Sequence, residues 1–140
     1  MKMKGQNRKC YQGVLNHSYQ RAINGEVIFY TKADHLVFFT IFCITAKHHA
    51  VQVLKLCQMP DHIHTSVIVD HRKELSDFVH DYTTCFAREN NRTCHRKGPL
   101  FQSPFGSVPK LGEKKTKSNL IYVDNNPVER LLCDKAEQYQ

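Results

Sequence analysis

Two histidines separated by one residue are the first side chains in this sequence whose types and spacing could support chemistry. They are His62 and His64, in a stretch of apolar and β-branched residues. Residues i and i+2 of a β-strand point to the same face, so both imidazoles would project together while Ile63 points the other way. Two adjacent imidazoles form half of a binding site for a divalent metal. Two exposed histidines with no ligand explain the same pattern equally well.

A tyrosine and an asparagine near the end of the chain form a second candidate pair. Tyr122 and Asn126 are four residues apart, so they share a face if this stretch is helical. The phenol and amide oxygens would then point to one place. Alternatively, Tyr122 lies in the core or at its rim, and Asn126 caps a helix that begins at Pro127.

The cysteines offer a different explanation for a metal. The six cysteines are scattered without the paired short spacings of a zinc finger, although Cys57 precedes His62 and Cys94 adjoins His95. A structural zinc site is therefore a minor alternative. The spacing predicts a reduced chain rather than a disulfide scaffold.

Hydrophobic patterns and turn signals predict the elements that must position these residues. The order is a strand over 14–21, a buried helix over 31–49, and a hairpin of strands over 51–59 and 62–70, followed by an amphipathic helix ending near Asn91. A mobile loop over 96–118 with one strand inside it, a helix over 118–123 and a short helix from Pro127 to Cys133 complete the chain. This β-α-β-β-α-β order predicts an α+β, ferredoxin-like antiparallel sheet with helices on one face and an added C-terminal helix that carries Tyr122.

Length and composition predict one folded domain over residues 1–140, with a flexible segment at 1–12. The chain has 140 residues, 41% hydrophobic and 24% charged, which excludes a disordered or low-complexity protein. The longest apolar stretch, Leu36 to Ala46, is too short to span a bilayer, and the N-terminus lacks the apolar segment of a secretory signal. We therefore expect a cytoplasmic protein with no membrane partner.

The net charge of +7 points to a polyanionic partner, and most of the excess lies between residues 88 and 117. A solvated helix end and loop would also be basic. Tyr82, Phe101 and Phe105 lie within or near this window and could stack on bases, or could belong to the core. The candidate phosphate-binding residues are Arg88, Arg92, Arg96, Lys97, Lys110, Lys114, Lys115 and Lys117.

Three segments resemble a known enzyme family. The stretch from Leu56 to His64 resembles the His-hydrophobic-His signature of the one-tyrosine HUH transposases, especially the REP-associated tyrosine transposases, in which a strand ends in Met-Pro before one polar residue and His-x-His. Residues 98–105 resemble the Leu-Trp-Gln-x-x-Phe segment of that family, with Phe101 in place of Trp. The stretch from Tyr122 to Val128 resembles its Tyr-x-x-x-Asn-Pro-Val motif. The three motifs occur in the family's order over roughly residues 14–131.

The resemblance implies a transposase that nicks and joins single-stranded DNA, with hairpin-forming DNA as its partner. Tyr122 would be the nucleophile and would form a 5′-phosphotyrosine intermediate. His62 and His64, with Asn126 as a third ligand, would hold Mg²⁺ or Mn²⁺. Relatives in the insertion-sequence branch form homodimers that exchange the tyrosine helix, and the sequence permits either that homodimer or a monomer. A domesticated, catalytically inactive nucleic-acid-binding module is the alternative.

Overall fold

The computed structural model describes residues 9–129, and side chains as far as residue 127. A short 3₁₀ turn, Ile23–Gly25, follows the first strand. The main elements, in chain order, are β1 (Leu15–Arg21), α1 (Lys32–His48), β2 (Gln52–Met59), β3 (His62–Ile68), α2 (Arg72–Thr93), β4 (Gly106–Lys110) and α3 (Glu113–Glu129). Within the described range, no helix is both long and apolar enough to cross a membrane.

The four strands form one sheet in the order β2-β3-β1-β4. Every neighbouring pair is antiparallel, so β1 and β2 run parallel to each other with β3 between them. This arrangement is the split β-α-β unit of a ferredoxin-like domain and confirms the predicted α+β class. Pro60 and Asp61 form the tight link between β2 and β3, as the turn signal predicted.

The main core lies between one face of the sheet and the pair α1 and α2. A capping box between Thr31 and Asp34 begins α1, which then buries Phe38, Phe42 and Ala46 at four-residue spacing. Among the residues that α2 buries is Tyr82, whose hydroxyl donates to Gln20 Oε1 at 2.5 Å, and burial raises the pKa of this phenol. Tyr82 is therefore a core residue and cannot stack on bases.

The loop before β4 also contributes to this core. Phe101 and Phe105 are both buried in the main cluster, so the core interpretation of these two residues is correct. The one strand predicted inside residues 96–118 is β4, which begins at Gly106. Gly106 pairs with Tyr19 of β1, which places β4 at the edge of the sheet.

The third helix packs on the opposite face of the sheet and is much longer than predicted. It begins at Glu113 and continues through Pro127 to Glu129, where the sequence predicted a mobile loop to residue 118, a break before Pro127 and a new helix after it. Proline lacks the N–H that would bond to the carbonyl of Val123, which costs the helix one hydrogen bond. Val123, Asn126 and Pro127 are all buried, and this packing outweighs the local preference. Residues 130–133 of the predicted short helix lie outside the described residues.

The N-terminal segment is held to the sheet where the structure describes it. The backbone N–H of Lys9 donates to the Ser107 carbonyl at 2.9 Å, and that of Tyr11 donates to Asn16 Oδ1 at 3.0 Å. Residues 9–12 are therefore attached to β1 and β4, in contrast to the predicted flexible segment. Residues 1–8 of that prediction lie outside the described residues.

Candidate functional site

The two histidines of β3 share one face of the strand, as their spacing predicted. Ile63 points into the main core, whereas His62 and His64 face α3, with ring centroids 4.8 Å apart and ring planes at 85°. Both are buried, with 4% and 7% of their surface exposed. They are not the exposed pair on an open polar face that the sequence also allowed, because α3 covers that face.

Each histidine has one ring nitrogen oriented by a neighbour. His62 Nδ1 lies 2.6 Å from Asp61 Oδ1, and His64 Nδ1 lies 3.0 Å from His17 Nε2. A cation would therefore be bound through the other nitrogen, Nε2, of both rings. Metal-binding histidines usually have the arrangement found at His62, in which a carboxylate or another acceptor holds the ring nitrogen that faces away from the metal.

His17 is a residue of the candidate site that the sequence did not reveal. It lies on β1 opposite Ser66, and its Nδ1 accepts a hydrogen bond from Asn119 Nδ2 at 2.7 Å. Burial, and to a lesser degree the Lys110 ammonium, lowers its pKa to about 4 against the opposing effect of the Asn119 hydrogen bond. The ring is therefore neutral at pH 7. In the sequence, a single histidine in a polar strand gives no indication of a site. Only the β1–β3 register shows that it lies beside His64.

Tyr122 lies next to the histidines of its own chain. Its ring centroid is 5.8 Å from that of His64 and 5.9 Å from that of His17. The side chain is 44% exposed, so its hydroxyl is accessible to a large substrate. Asn119 is one turn earlier on α3, and its bond to His17 fixes the helix over the histidines. The structure thus brings together Tyr122, His62 and His64, which the sequence had singled out separately.

Asn126 is buried inside α3 and does not cap a helix. Because α3 continues through Pro127, Asn126 cannot be the N-cap that the sequence allowed. Its Nδ2 is buried and has no hydrogen-bond partner. Asn119 contacts Ser66, and Val123 packs with Met59, the residue opposite His62. Successive turns of α3 therefore approach the end of β3 that carries His62. Asn126 lies one turn beyond Val123 in the same direction.

Two imidazoles on one face suit a divalent cation, and Asn126 would bind one only through its Oδ1. The buried Asn126 atom without a partner is Nδ2, a donor, which an acceptor such as a phosphate oxygen would satisfy. In the described part of the chain, no three His, Cys, Asp or Glu side chains form a group able to hold a metal. This argues against the zinc alternative, and Cys57 instead packs with Met59 and Val123 in an apolar cluster. None of the five described cysteines forms a disulfide.

The eight predicted phosphate-binding residues fall into two groups at opposite ends of β1. Lys110 pairs with Leu15 at the start of β1, whereas the bridge between Ala22 and Phe101 lies just beyond its end, about 20 Å away at the usual rise of a strand. The first group is Lys110, Lys114, Lys115 and Lys117. It is here called the cavity lysines, because three of the four line the cavity described below. The second group, here called the α2-end cations, is Arg88, Arg92, Arg96 and Lys97.

Several of these cations already have acidic partners. Arg92 pairs with Glu89, Arg96 Nη2 lies 2.8 Å from Glu26 Oε2, and Lys117 Nζ lies 2.7 Å from Glu113 Oε1. Arg96 also donates to the carbonyl oxygens of Gly98 and Pro99, so it holds the loop after α2 in place. Structural roles therefore account for part of the basic window.

A cavity of about 670 Å³ adjoins Tyr122. It lies between β4 and α3, with Val108 and Pro109 on one side and His17 and Tyr122 on another. Of the cavity lysines, Lys110, Lys114 and Lys115 line it. The result is a concave, positively charged space with apolar walls that opens beside an accessible phenol.

A family model described as "Transposase IS200 like" matches residues 12–126, which include every residue of this site. The chain belongs to the IS200-like transposase family. The search of curated protein sequences gave no match.

Two solved structures resemble this IS200-like transposase. One is a REP-associated tyrosine transposase bound to a REP hairpin, with a TM-score of 0.75, 12% sequence identity and coverage of 98% of this chain and 80% of that chain. The other is a protein from Deinococcus radiodurans R1 assigned as a transposase, with a TM-score of 0.58, 17% identity and coverage of 88% and 97%. At these identities the likeness establishes the fold, which agrees with the predicted class.

Proposed function

We propose that this IS200-like transposase nicks and joins single-stranded DNA, with Tyr122 as the nucleophile. The observation that carries the proposal is the contact of an accessible tyrosine ring with His64, whose ring in turn contacts His62 of the same buried pair. The Tyr122 oxygen would form a bond to phosphorus while the bond from phosphorus to the 3′ oxygen breaks, and that oxygen leaves as a 3′-hydroxyl after taking up a proton. The reverse reaction on another strand joins DNA without a further energy source.

His62, His64 and Asn126 are the residues that would hold a divalent cation, Mg²⁺ or Mn²⁺. When bound, such a cation polarises the phosphate oxygens and offsets the charge that builds up in the transition state. Asp61 and His17 hold the two imidazoles by their Nδ1 atoms. The protein thereby fixes the orientation of both rings before substrate arrives.

The cavity beside Tyr122 would hold the strand to be cut. Lys110, Lys114 and Lys115 would contact phosphates, and Val108 and Pro109 provide apolar surface for a sugar or base. Phe101 and Phe105 take no part, since they are core residues. The α2-end cations lie at the opposite end of β1 from Lys110, so we expect them to contact a longer substrate, such as the stem of a hairpin.

Hairpin-forming DNA is the substrate class we favour. The neighbour with a TM-score of 0.75 was solved with a REP hairpin bound. A single subunit supplies the tyrosine and both histidines here, so the proposed site needs no second copy. A cytoplasmic location, where chromosomal hairpins would be accessible in a bacterium, is part of the same proposal.

The test is formation of a covalent adduct between the protein and a labelled hairpin oligonucleotide with single-stranded flanks, in Mn²⁺ or Mg²⁺. The unaltered chain should give an adduct that survives denaturing electrophoresis, and Tyr122→Phe should give none. Tyr30→Phe is the matched control, because Tyr30 is 70% exposed and precedes α1, which packs on the face of the sheet opposite Tyr122. His62→Ala should also give no adduct while retaining most of the salt-sensitive binding, which depends on lysines and arginines.

Two outcomes would contradict the mechanism. Equal adduct formation by Tyr122→Phe would exclude this nucleophile. Hairpin binding by the unaltered chain without an adduct on any substrate would instead support the inactive, domesticated binding module.

A further inference from the structure

We infer that His17 is a positioning residue. Together with Asn119 and Ser66, it determines which ring nitrogen of His64 can bind a cation. The same hydrogen bonds attach α3, the helix bearing Tyr122, to this part of the sheet. The inference deepens the proposed function, because it concerns the same site. It rests on a hydrogen-bonded chain of four side chains.

The chain crosses from β3 to α3 and back to β3. Ser66 Oγ donates to Asn119 Oδ1 at 2.7 Å, Asn119 Nδ2 donates to His17 Nδ1 at 2.7 Å, and His17 Nε2 lies 3.0 Å from His64 Nδ1. All four side chains are buried. Burial makes each donor and acceptor depend on its partner, because a buried polar group left unsatisfied has lost its bonds to water without replacing them.

In the structure, the proton positions in this chain follow from the Asn119 amide. Because Asn119 Nδ2 donates to His17 Nδ1, a neutral His17 carries its proton on Nε2 and donates it to His64 Nδ1. A neutral His64 then carries its own proton on Nε2. That nitrogen has no lone pair for a cation in this state.

The opposite direction also satisfies the pairs among Asn119, His17 and His64. If the Asn119 amide rotates, its Oδ1 accepts from His17 Nδ1, and His17 Nε2 then accepts from His64 Nδ1. Ser66 completes the chain in both cases, because a hydroxyl donates or accepts. His64 Nε2 now carries a lone pair toward the site. Cation binding through His64 therefore requires the rotated amide, with no change in the total number of protons.

The same chain connects the cation site to the nucleophile. Asn119 lies one helical turn before Tyr122, and its bonds to His17 and Ser66 fix this part of α3 on the sheet. Alongside the apolar contact of Val123 with Cys57 and Met59 and the ion pair of Asp124 with Lys55, the polar chain is a further link between α3 and the sheet. It therefore helps to hold Tyr122 over the histidines.

The first test measures Mn²⁺ affinity by the loss of the free-ion electron paramagnetic resonance signal. His17→Phe should weaken binding about tenfold or more, the usual effect of removing an orienting partner. His17→Gln should restore most of the affinity, because an amide at the former Nε2 position can accept from His64 Nδ1. His80→Ala is the control, since His80 is exposed on α2. Unchanged affinity in a folded His17→Phe protein would overturn the inference.

The second test needs no variant. In protein labelled with ¹⁵N-histidine, long-range ¹H–¹⁵N spectra report which nitrogen of each ring carries the proton. His17 and His64 should both carry it on Nε2 without metal, and both should carry it on Nδ1 in saturating Mg²⁺. A His17 ring whose protonated nitrogen does not change with Mg²⁺ would show that the two rings are not coupled.

The adduct assay separates this inference from the proposed function. An adduct that depends on Tyr122, together with a His17 ring unaffected by Mg²⁺, would leave the function standing and the inference wrong. If both rings change their protonated nitrogen with Mg²⁺ in a chain that forms no adduct, the inference stands and the proposed function is wrong.

Discussion

At the scale of single residues, the site depends as much on the partners of the histidines as on the histidines themselves. His-x-His is readable in the sequence, but the two side chains that orient it come from different places. Asp61 is the adjacent turn residue, whereas His17 is 47 positions away from His64. Together they hold both Nδ1 atoms. The ring orientation that a cation requires is thus built into the fold.

Asp61→Ala should weaken Mn²⁺ binding about tenfold, because His62 loses the carboxylate that orients its ring. The melting temperature should change little, since the carboxylate is partly exposed and its removal leaves no cavity. Calorimetric titration with Mn²⁺ checks this, with Asp70→Ala, an exposed residue beyond β3, as the control. Equal Mn²⁺ affinity in Asp61→Ala and the unaltered chain would show that the carboxylate does not orient His62.

At the scale of elements, β4 lies close to β1 because one residue has no side chain. Gly106 pairs with Tyr19, whose ring covers it, and a Cβ at this position would lie 1.9 Å from Tyr19 Cζ. Such an approach is impossible for any other residue while the ring stays in place. Gly106 therefore sets the packing of the edge strand that forms one wall of the cavity.

Gly106→Ala should lower the free energy of unfolding by about 1–3 kcal/mol, since the Tyr19 ring must leave its position. The same change in a Tyr19→Ala background should have a much smaller effect, because the clash is then absent. Chemical denaturation of the four proteins gives this coupling energy directly. Equal costs in the two backgrounds would mean that the ring does not set the requirement for glycine.

At the scale of the whole molecule, the sheet separates the main core from the candidate site. One face carries the large aromatic core with α1 and α2, and the other carries the histidines, α3 and the cavity. The positive charge is divided along a different direction, with the cavity lysines at one end of β1 and the α2-end cations at the other. We therefore expect the two basic groups to contribute to DNA binding over different lengths of substrate.

Lys114→Ala combined with Lys115→Ala should weaken binding of a short single-stranded oligonucleotide and lower the slope of log affinity against log salt by about 1.4, which corresponds to two phosphate contacts. Arg88→Ala combined with Lys97→Ala should leave that slope unchanged on the short oligonucleotide and lower it only on a longer hairpin. Fluorescence anisotropy over a range of salt concentrations measures both. Equal effects of the two double variants on the short oligonucleotide would contradict the division.

The sequence by itself determined the ferredoxin-like order of elements and the shared direction of His62 and His64, and it singled out Tyr122 as a candidate. These follow from local rules: strand alternation, helical periodicity, turn residues and short motifs. Its errors were also local. A proline preceded by asparagine predicted a break in α3, and basic residues adjacent in sequence were taken as one surface.

Only the tertiary structure decided what depends on contacts between distant segments. The β1–β3 register brings His17 to His64, and packing against the second face of the sheet keeps α3 helical through Pro127. The burial of Tyr82, Phe101 and Phe105 removed three stacking candidates. The basic residues that are close together in sequence lie at the two ends of β1. Pairing register and burial are properties of the folded chain as a whole, so no local pattern around Tyr122 could have revealed Asn119 and His17 as its neighbours.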